Sequence, residues 1–362
     1  MTFFRFVALT LMAPCAATSS AHAETMVLAG YPHELMMIDP QNGEVTEHVQ
    51  LETGLPTSMH LSTDRSKLYV TTITTSGIEV LDTTTRKIIN KFSLNTPRTK
   101  YRFNGGVADP TGRYFYIVGT KIDKEIDAYR ISEPQYMVVD LQSGEVVRSV
   151  EIAAEDRGPS YRARLVLSPD GKTLYLFREK VIVIDTENFE VLDRIDLAKP
   201  DFPGLQDVNV SGSLETLTSP NEYVSVFNAQ DPYIQNKVFG VARFDLDSRQ
   251  FSFSPIGPAP DRMAGLQVTP DGKTAYTIAV NGVRGNARCE FWKFDLDTNV
   301  ALDNKEFPCR TRFSFGMSPD GEKLFVYGAG FDVAVYDAQS LSPEANWELT
   351  NDTTGAGLVF LR

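Results

Sequence analysis

The chain has 362 residues, of which 47 are acidic and 35 are basic, so its formal net charge is −12. Hydrophobic residues make up 42%, and there are only three cysteines, which excludes a disordered chain and a disulfide scaffold. The acidic balance argues against a general nucleic-acid binder and against adsorption to an anionic membrane surface, because both need basic surfaces. All four histidines lie within the first 60 residues, which disfavours a multi-histidine catalytic or metal site elsewhere.

A targeting segment is predicted at the start of the chain, over residues 1–23. Arg5 supplies a positive charge, an apolar stretch follows from 6 to 17, and an A-x-A cleavage motif occupies 21–23. The apolar stretch is too short for a membrane span, and no other stretch is longer. We therefore predict a cleaved secretory signal peptide, a periplasmic location without a membrane span, and one domain over 24–362.

A phrase of roughly fifty residues recurs along the remaining chain, which is the signature of a repeat architecture. It opens with a tight turn and a short apolar strand, and in its clearest form the turn reads Ser/Thr-Pro-Asp-Gly. Proline presets φ for such a turn, and glycine accepts its left-handed corner. The turns begin at Ser62, Asp109, Ser168, Thr269 and Ser318, with a weaker copy at Ser219.

Each unit also contains an apolar strand that ends in aspartate. We expect this aspartate to cap the following hairpin turn by accepting backbone N–H groups, rather than to act in catalysis or metal binding. The seven strand-ending aspartates are Asp39, Asp82, Asp140, Asp185, Asp245, Asp295 and Asp337. With the strand that follows, each unit supplies four short strands, the pattern of a β-propeller blade.

The two ends of the chain indicate how the ring closes. The first unit lacks its opening strand, because 26–29 already has the position of a second strand, whereas 356–362 adds a spare strand after the last unit. Placing the spare strand in the first blade completes that blade and hides the edges of the ring. We therefore predict an all-β, seven-bladed β-propeller closed by its C-terminal strand, with insertions at 121–134 and 228–237 in blades three and five.

Two of the three cysteines are placed to form a disulfide. Cys289 is predicted to begin the third strand of blade six and Cys309 to end the fourth, each ten residues from Asn299 in the connecting hairpin. A symmetric hairpin would make them a cross-strand pair, at a Cα separation of about 4.5–5.5 Å that a disulfide can bridge. Two free buried thiols would require only a shift of register.

Motifs of known chemistry are missing from the chain. There is no C-x-x-C-H for haem attachment, no phosphate-binding G-x-x-x-x-G-K-S/T loop, no H-E-x-x-H and no cysteine–histidine cluster for zinc. The sequence therefore predicts no catalytic residue, no metal site and no cofactor on this chain.

Charge distribution gives the one positive signal for a site. Several segments that lead from one blade to the next are basic with interleaved aromatic residues, and such connections open on one face of a propeller. A basic face could attract an anionic ligand or an acidic partner surface. Alternatively, the cations pair with neighbours such as Glu155, Asp156 and Asp261, and the histidine is simply packed. The candidate residues are Arg98, Lys100, Arg102, Arg157, Arg162, Arg164, Arg262, Arg310, Arg312 and, at the channel mouth, His60.

The repeated S-P-D-G, L-Y-V and V-I-D phrases resemble the YVTN class of bacterial β-propellers. Longer segments are similar to the β subunit of quinohemoprotein amine dehydrogenase. These are 94–97 with 103–112, the end of the blade-three insertion at 129–134 before 138–140, and Asp231-Pro232 upstream of 240–245 in blade five.

The resemblance implies a non-catalytic periplasmic propeller subunit that takes part in amine oxidation. It would pack against a dihaem cytochrome subunit and a small subunit carrying a cysteine tryptophylquinone, so that haem and quinone would lie on the partner subunits. Two other functions stay open. One is a stand-alone secreted binding propeller that uses its basic face. The other, less favoured because no acid, base and metal set is evident, is a lactonase-like hydrolase.

Overall fold

The computed structural model describes residues 24–158, 164–178, 180–197, 206–210, 214–216, 221–231, 233 and 236–362. The predicted signal peptide lies outside the described residues. Within these ranges, 31 strands form seven sheets, and the 3-10 helices Ala154–Asp156 and Arg284–Asn286 interrupt the β structure.

The first three sheets contain the N-terminal part of the chain and its last strand. Blade 1 is formed by β1 (Thr25–Gly30), β2 (Glu34–Ile38), β3 (Val45–Gln50) and β31 (Thr353–Leu361). Blade 2 is formed by β4 (Pro56–Leu61), β5 (Lys67–Thr72), β6 (Gly77–Asp82) and β7 (Lys87–Ser93). Blade 3 is formed by β8 (Thr99–Arg102), β9 (Gly106–Ala108), β10 (Tyr114–Lys124), β11 (Tyr129–Ile131), β12 (Gln135–Asp140) and β13 (Glu145–Glu151).

The other four sheets follow in chain order. Blade 4 is formed by β14 (Arg164–Leu167), β15 (Thr173–Phe177), β16 (Lys180–Asp185) and β17 (Val191–Asp196). Blade 5 is formed by β18 (Gln206–Val210), β19 (Glu215–Thr216), β20 (Glu222–Gln230), β21 (Lys237–Asp245) and β22 (Gln250–Pro258). Blade 6 is formed by β23 (Arg262–Val268), β24 (Thr274–Asn281), β25 (Arg288–Asp295) and β26 (Val300–Phe307). Blade 7 is formed by β27 (Ser314–Met317), β28 (Lys323–Tyr327), β29 (Asp332–Asp337) and β30 (Pro343–Glu348).

Seven separate hydrophobic cores hold the ring together, one between each pair of neighbouring blades. Strand β1 shows why the alternation of the sequence leads to this arrangement. Its residues Val27 and Ala29 pack toward blade 2, whereas Met26 and Leu28 pack toward blade 7. Successive side chains point to opposite faces of a sheet, so a strand buried on both faces is apolar throughout. The seven-bladed propeller is confirmed.

Closure by the C-terminal strand is also confirmed. Strand β31 pairs antiparallel with β1, with Val27 opposite Val359 and Thr25 opposite Leu361. It is the innermost strand of blade 1, and it begins at Thr353, a little before the predicted start. Arg65 of blade 2 donates from Nη2 to the backbone oxygen of Phe360 at 2.7 Å, which ties the closing strand to the next blade.

A buried carboxylate adds a second tie at this closure. Glu34 on β2 is only 3% exposed, and its oxygens accept hydrogen bonds from Gln50, at 3.0 Å, and from Asn351, which leads into β31. The His48 Nδ1 atom lies 3.1 Å from the same carboxylate. The cluster therefore joins the beginning and the end of the chain, and its donors satisfy a group that would be costly to bury alone.

The repeated turns adopt the predicted conformations. Glycines at the fourth turn position have positive φ values of 68–78°, for example Gly112 at 68° and Gly321 at 78°. Arg65 occupies the same position in the first copy and adopts φ 58° without glycine's freedom. All seven strand-ending aspartates accept backbone N–H groups from the turn that follows, which confirms their capping role. The weaker copy at Ser219 lies outside the described residues.

The insertion in blade 3 folds as a β-structured extension of the sheet. Strand β10 continues beyond its pairing with β12, and its last residues pair with β8 on one side and β11 on the other. Arg98, Lys100 and Arg102, predicted in the connection that leads into blade 3, lie immediately before β8 or on β8 of this extension. In blade 5, β20 ends at Gln230 and β21 begins at Lys237. The connection between them is therefore short, and most of the second predicted insertion at 228–237 lies in or next to these strands.

The predicted disulfide between Cys289 and Cys309 is present, with a Cα separation of 5.1 Å. Its predicted register is wrong in one respect. The hairpin turn at 296–299 includes Asn299 but is centred before it, because Asp295 pairs with Val300, so Cys289 lies opposite Phe307. Cys309 therefore follows the end of β26 by two residues, and the bond fastens the segment after the strand rather than the strand itself.

Removing this disulfide should destabilise blade 6. The chain-entropy model gives a contribution of about 3 kcal/mol for a loop of this size. We expect the double variant Cys289→Ser/Cys309→Ser to lose about this free energy of unfolding in urea titration. Reduction of the wild-type protein before the titration should reproduce the loss. Reaction of a thiol probe with the unreduced, urea-unfolded protein would contradict the bond.

The turn aspartates should make the fold sensitive to acid. The Ser62 hydroxyl and Ser66 donors lower the pKa of Asp64 to about 2, and the backbone N–H of Thr85 lowers the pKa of Asp82. Because these pKa values lie below the unfolded value, the stabilisation is present above about pH 4 and is lost as the pH falls toward about 2.

Thermal melts between pH 7 and pH 2 test this expectation. Asp64→Ala should melt at a lower temperature at pH 7, and its melting temperature should fall less steeply with pH than that of the wild type. Asp303→Ala, on the exposed outer strand β26, is the matched control. Equal slopes for the wild type and Asp64→Ala would contradict the assignment.

Candidate binding face and channel

The two ends of the ring differ in the connections that they carry. One end, here called the loop face, holds the connections between the second and third strands of each blade and the connections from one blade to the next. The other end, called the turn face, holds the repeated tight turns and the hairpin turns capped by aspartate. Twelve aspartates of the repeat therefore lie on the turn face: the seven strand-ending residues and Asp64, Asp109, Asp170, Asp271 and Asp320.

Large exposed hydrophobic side chains divide unevenly between these ends. In the described part of the chain, the turn-face connections carry none of them, and the others outside the loop face lie on outer strands. Tyr233 is 87% exposed and Phe331 is 60% exposed, values that a packed core residue would not show. The loop-face set comprises Tyr31, Ile73, Ile126, Tyr129, Ile131, Tyr233, Val283 and Phe331, from six of the seven blades.

The candidate cations lie at the loop face, but they do not form one site. Arg162 lies outside the described residues. Arg98, Lys100 and Arg102 are exposed on the blade-3 extension, and no ion pair is found for them within the described ranges. Arg312 is likewise exposed beside blade 7. These four residues keep their charge available to a partner.

Arg157 and Arg310 form ion pairs within the protein. Arg157 pairs with Glu133, at 3.2 Å, and with Glu151. Arg310 makes two hydrogen bonds to the Asp332 carboxylate, at 3.0 and 2.6 Å. Pairing was one of the expected alternatives, but the acidic partners are Glu133, Glu151 at the end of β13 and Asp332 at the start of β29 rather than the predicted neighbours. Bidentate geometry of this kind orients an arginine and removes it from the free basic surface.

Asp156, one of those predicted neighbours, has another role. The Arg194 Nε–H is shared between both oxygens of the buried Asp156 carboxylate, at 3.0 Å each, Nη2 donates a second hydrogen bond, and the Lys180 ammonium lies 2.8 Å away. The pKa of Asp156 is lowered because these cations outweigh its burial, which alone would raise it. The cluster fastens the segment between blades 3 and 4 to the outer part of blade 4.

The axis of the ring contains a cavity of about 990 Å³, and inner-strand or adjacent residues of all seven blades line it. Three candidate residues, His60, Arg164 and Arg262, lie in its wall. No aspartate or glutamate is among the described lining residues, although the whole chain is acidic. The described wall is therefore polarised toward positive charge.

Arg262 is held at the channel mouth by an aromatic ring. Its guanidinium lies 5.8 Å from the centroid of the Phe313 ring, within the range of a cation–π contact. The carboxylate of the preceding residue, Asp261, instead accepts the backbone N–H of Gly282 at 2.8 Å. The expected pairing of Arg262 with Asp261 is therefore not found, and Arg262 faces the cavity.

Other parts of the wall were not predicted from the sequence. Thr57, Ser58 and Asn104 supply polar side chains, and the closing strand contributes the small residues of 354–357. In the sequence, the only feature that could have indicated this part of the wall is the Thr-Gly-Ala-Gly composition of 354–357. Such a composition is typical of a weak strand and does not by itself indicate a position on the axis.

No group of three or more His, Cys, Asp or Glu side chains in the described ranges is arranged to hold a metal ion. None of the helices in the described part of the chain has the length and apolar character needed to span a membrane.

Comparison with known proteins identifies similar folds only. No family model matches the chain, and no curated protein matches it in sequence. Hydrazine synthase from Kuenenia stuttgartiensis is similar at 16% identity and a TM-score of 0.51, over 88% of this chain and 90% of that chain. Dihydro-heme d1 dehydrogenase NirN, in complex with DHE, has 14% identity and a TM-score of 0.55, over 93% of this chain and 75% of that chain.

Apo AztD from Citrobacter koseri is similar over 93% of this chain and 98% of that chain, at 14% identity and a TM-score of 0.55. At such identities these structures support the propeller fold and carry no shared activity. They do not support the specific resemblance to the amine dehydrogenase β subunit, which stays a prediction.

His60 provides a test of the channel environment. Burial lowers the pKa of the His60 imidazole from its usual 6.5, because the charged ring loses hydration. We expect the ring to be neutral at pH 7 and to titrate below 6.5 in an NMR experiment, with His60→Gln identifying its signal. Because its folded pKa is lowered, His60 should reduce stability as the pH falls below the unfolded value. A titration midpoint above 6.5 would contradict the burial of the His60 ring in the channel wall.

Proposed function

We propose that this chain is a non-catalytic binding module that docks a partner protein through its loop face. The observation that carries the proposal is the confinement of exposed apolar connections to that face. Exposed patches of this kind commonly mark protein interaction sites, because isolated proteins gain nothing from leaving large aromatic and aliphatic groups in water. The described connections of the turn face are polar and carry no large exposed hydrophobic side chain. The two faces of the same ring can therefore be compared directly.

The charges of the loop face indicate the chemistry of the partner. Arg98, Lys100 and Arg102 lie on the same extension as Ile126 and Tyr129. A partner surface that combines apolar side chains with carboxylates would complement both features.

A more specific form of the proposal follows from the sequence resemblance. The chain would then be the periplasmic β subunit of an amine dehydrogenase, with the loop face packed against a dihaem cytochrome subunit and a small quinone-bearing subunit. A stand-alone secreted binding propeller would use the same face for a different partner. A lactonase-like hydrolase is disfavoured, because the described channel wall offers no carboxylate as acid, base or metal ligand.

Purification of the tagged chain from the organism that encodes it tests the docking proposal. We expect a defined partner to co-purify in fixed stoichiometry. The double variant Ile126→Ser/Tyr129→Ser should weaken this association by at least about tenfold, since two exposed anchors are removed. The control Ile89→Ser/Leu192→Ser removes exposed apolar groups from outer strands and should leave the association unchanged.

The outcomes separate the general proposal from its specific form. A monomer with no partner, or equal losses in both double variants, would overturn docking through the loop face. A partner without haem absorbance and without amine-oxidising activity would exclude the amine dehydrogenase subunit while leaving the docking module intact.

A further inference from the structure

We infer that the loop-face half of the axial channel is a binding site for a small organic anion that carries a carboxylate or phosphate group. The wall contains Arg164 and Arg262 near the loop face and His60 deeper along the axis, next to the last residue of β4, and no acidic residue is among its described members. In a chain with 47 acidic residues, a described cavity wall without any of them is an electrostatic feature that favours anions.

The position of the cavity makes it accessible from the loop face. Its wall contains the first residues of several inner strands, including Arg164 of β14 and Arg262 of β23. These strands start at the loop face and run toward the turn face. A volume of about 990 Å³ lies at the upper end of the range for small-molecule sites, so an organic body could enter with its charged group.

The Arg262 guanidinium is the best-defined anchor in this wall. Its contact with Phe313 restricts its position. The carboxylate of the adjacent Asp261 accepts the backbone N–H of Gly282, and no ion pair between Asp261 and Arg262 is found. Arg164 begins β14 in another part of the wall, so a second guanidinium group lines the same cavity. Arginine suits carboxylate and phosphate groups because its planar fork donates two parallel hydrogen bonds.

The closing strand leaves room within the same cavity. A Cβ atom added at Gly355 or Gly357 would meet no atom within 4 Å, so both glycines border open space. The uncovered inner edge of a strand presents backbone N–H groups, which can donate to an anion. Gly357 has φ +114° and needs to be glycine, whereas Gly355 lies outside the left-handed region and tolerates a side chain.

Apolar side chains in the same wall define the rest of the ligand. Met59, Leu165, Phe313 and Phe315 line the cavity beside the polar groups. A ligand with an aromatic or aliphatic body would use this surface, which a free inorganic ion would leave unfilled. The neutral His60 ring can donate or accept one hydrogen bond without repelling or attracting charge.

Calorimetric titration of the purified full chain with three probes of similar size tests the inference. Phenylacetate and phenyl phosphate carry the two proposed anionic groups, and phenethylamine carries a positive charge on the same body. We expect both anions to bind more tightly than the amine by at least about tenfold, and binding to weaken as salt is added. The stronger of the two anions identifies the preferred group. Equal or tighter binding of the amine, or no binding of either anion, would overturn the site.

Three variants locate the binding in the channel. Arg262→Ala should weaken anion binding about tenfold or more, and Gly355→Leu should block it by filling the open space without changing charge. Arg312→Ala removes a cation from the same face outside the cavity wall and should change affinity by less than about twofold. Unchanged binding in Arg262→Ala and Gly355→Leu, in folded proteins with wild-type melting curves, would overturn the inference.

This inference stands apart from the docking proposal. The variant Ile126→Ser/Tyr129→Ser should bind the anions normally, and Arg262→Ala should still co-purify with a partner. Failure of one experiment therefore leaves the other intact.

Discussion

Met26 and Val27 are neighbours in sequence, yet they pack into different hydrophobic cores on opposite sides of one sheet. This burial of both sheet faces is the constraint on which the ring depends. A blade removed from the ring would expose two apolar surfaces, and each buried aliphatic or aromatic side chain contributes roughly 1.5–3 kcal/mol. The sheets therefore stabilise one another around the axis, and β31 contributes Phe360 to one neighbouring core and Leu361 to the other.

The same constraint separates the parts of the chain that maintain the fold from those free to vary. Strand side chains pack into the cores on both sides of their sheet. The turn face consists of capped turns that repeat almost without change. Insertions and exposed apolar residues consequently accumulate in loop-face connections, where the blade-3 extension is the largest described example. A rigid ring that carries variable loops on one face resembles other scaffolds in which loops supply recognition.

The repeated turns and strand-ending aspartates were sufficient to predict the fold, because each carries a local physical signal that recurs in every unit. The disulfide partners were predictable, but their register was not, since it depends on where the hairpin turns between Asp295 and Val300. The candidate site was predicted less well. Arg310 pairs with Asp332, which lies 22 positions away at the start of β29, so their approach depends on the tertiary arrangement of blade 7. Likewise, only the closed ring shows that Gly355 borders the axis.

The closing strand also determines what the ring would lose if that strand were absent. Strand β31 lines the channel with residues 354–357, and it supplies Phe360 to the core shared with blade 7 and Leu361 to the core shared with blade 2. Without β31, the edge of β1 would be unpaired along the axis, and both neighbouring cores would lose apolar side chains. Closure of the ring by its own last strand therefore also protects blade 1 from exchanging strands with a second molecule.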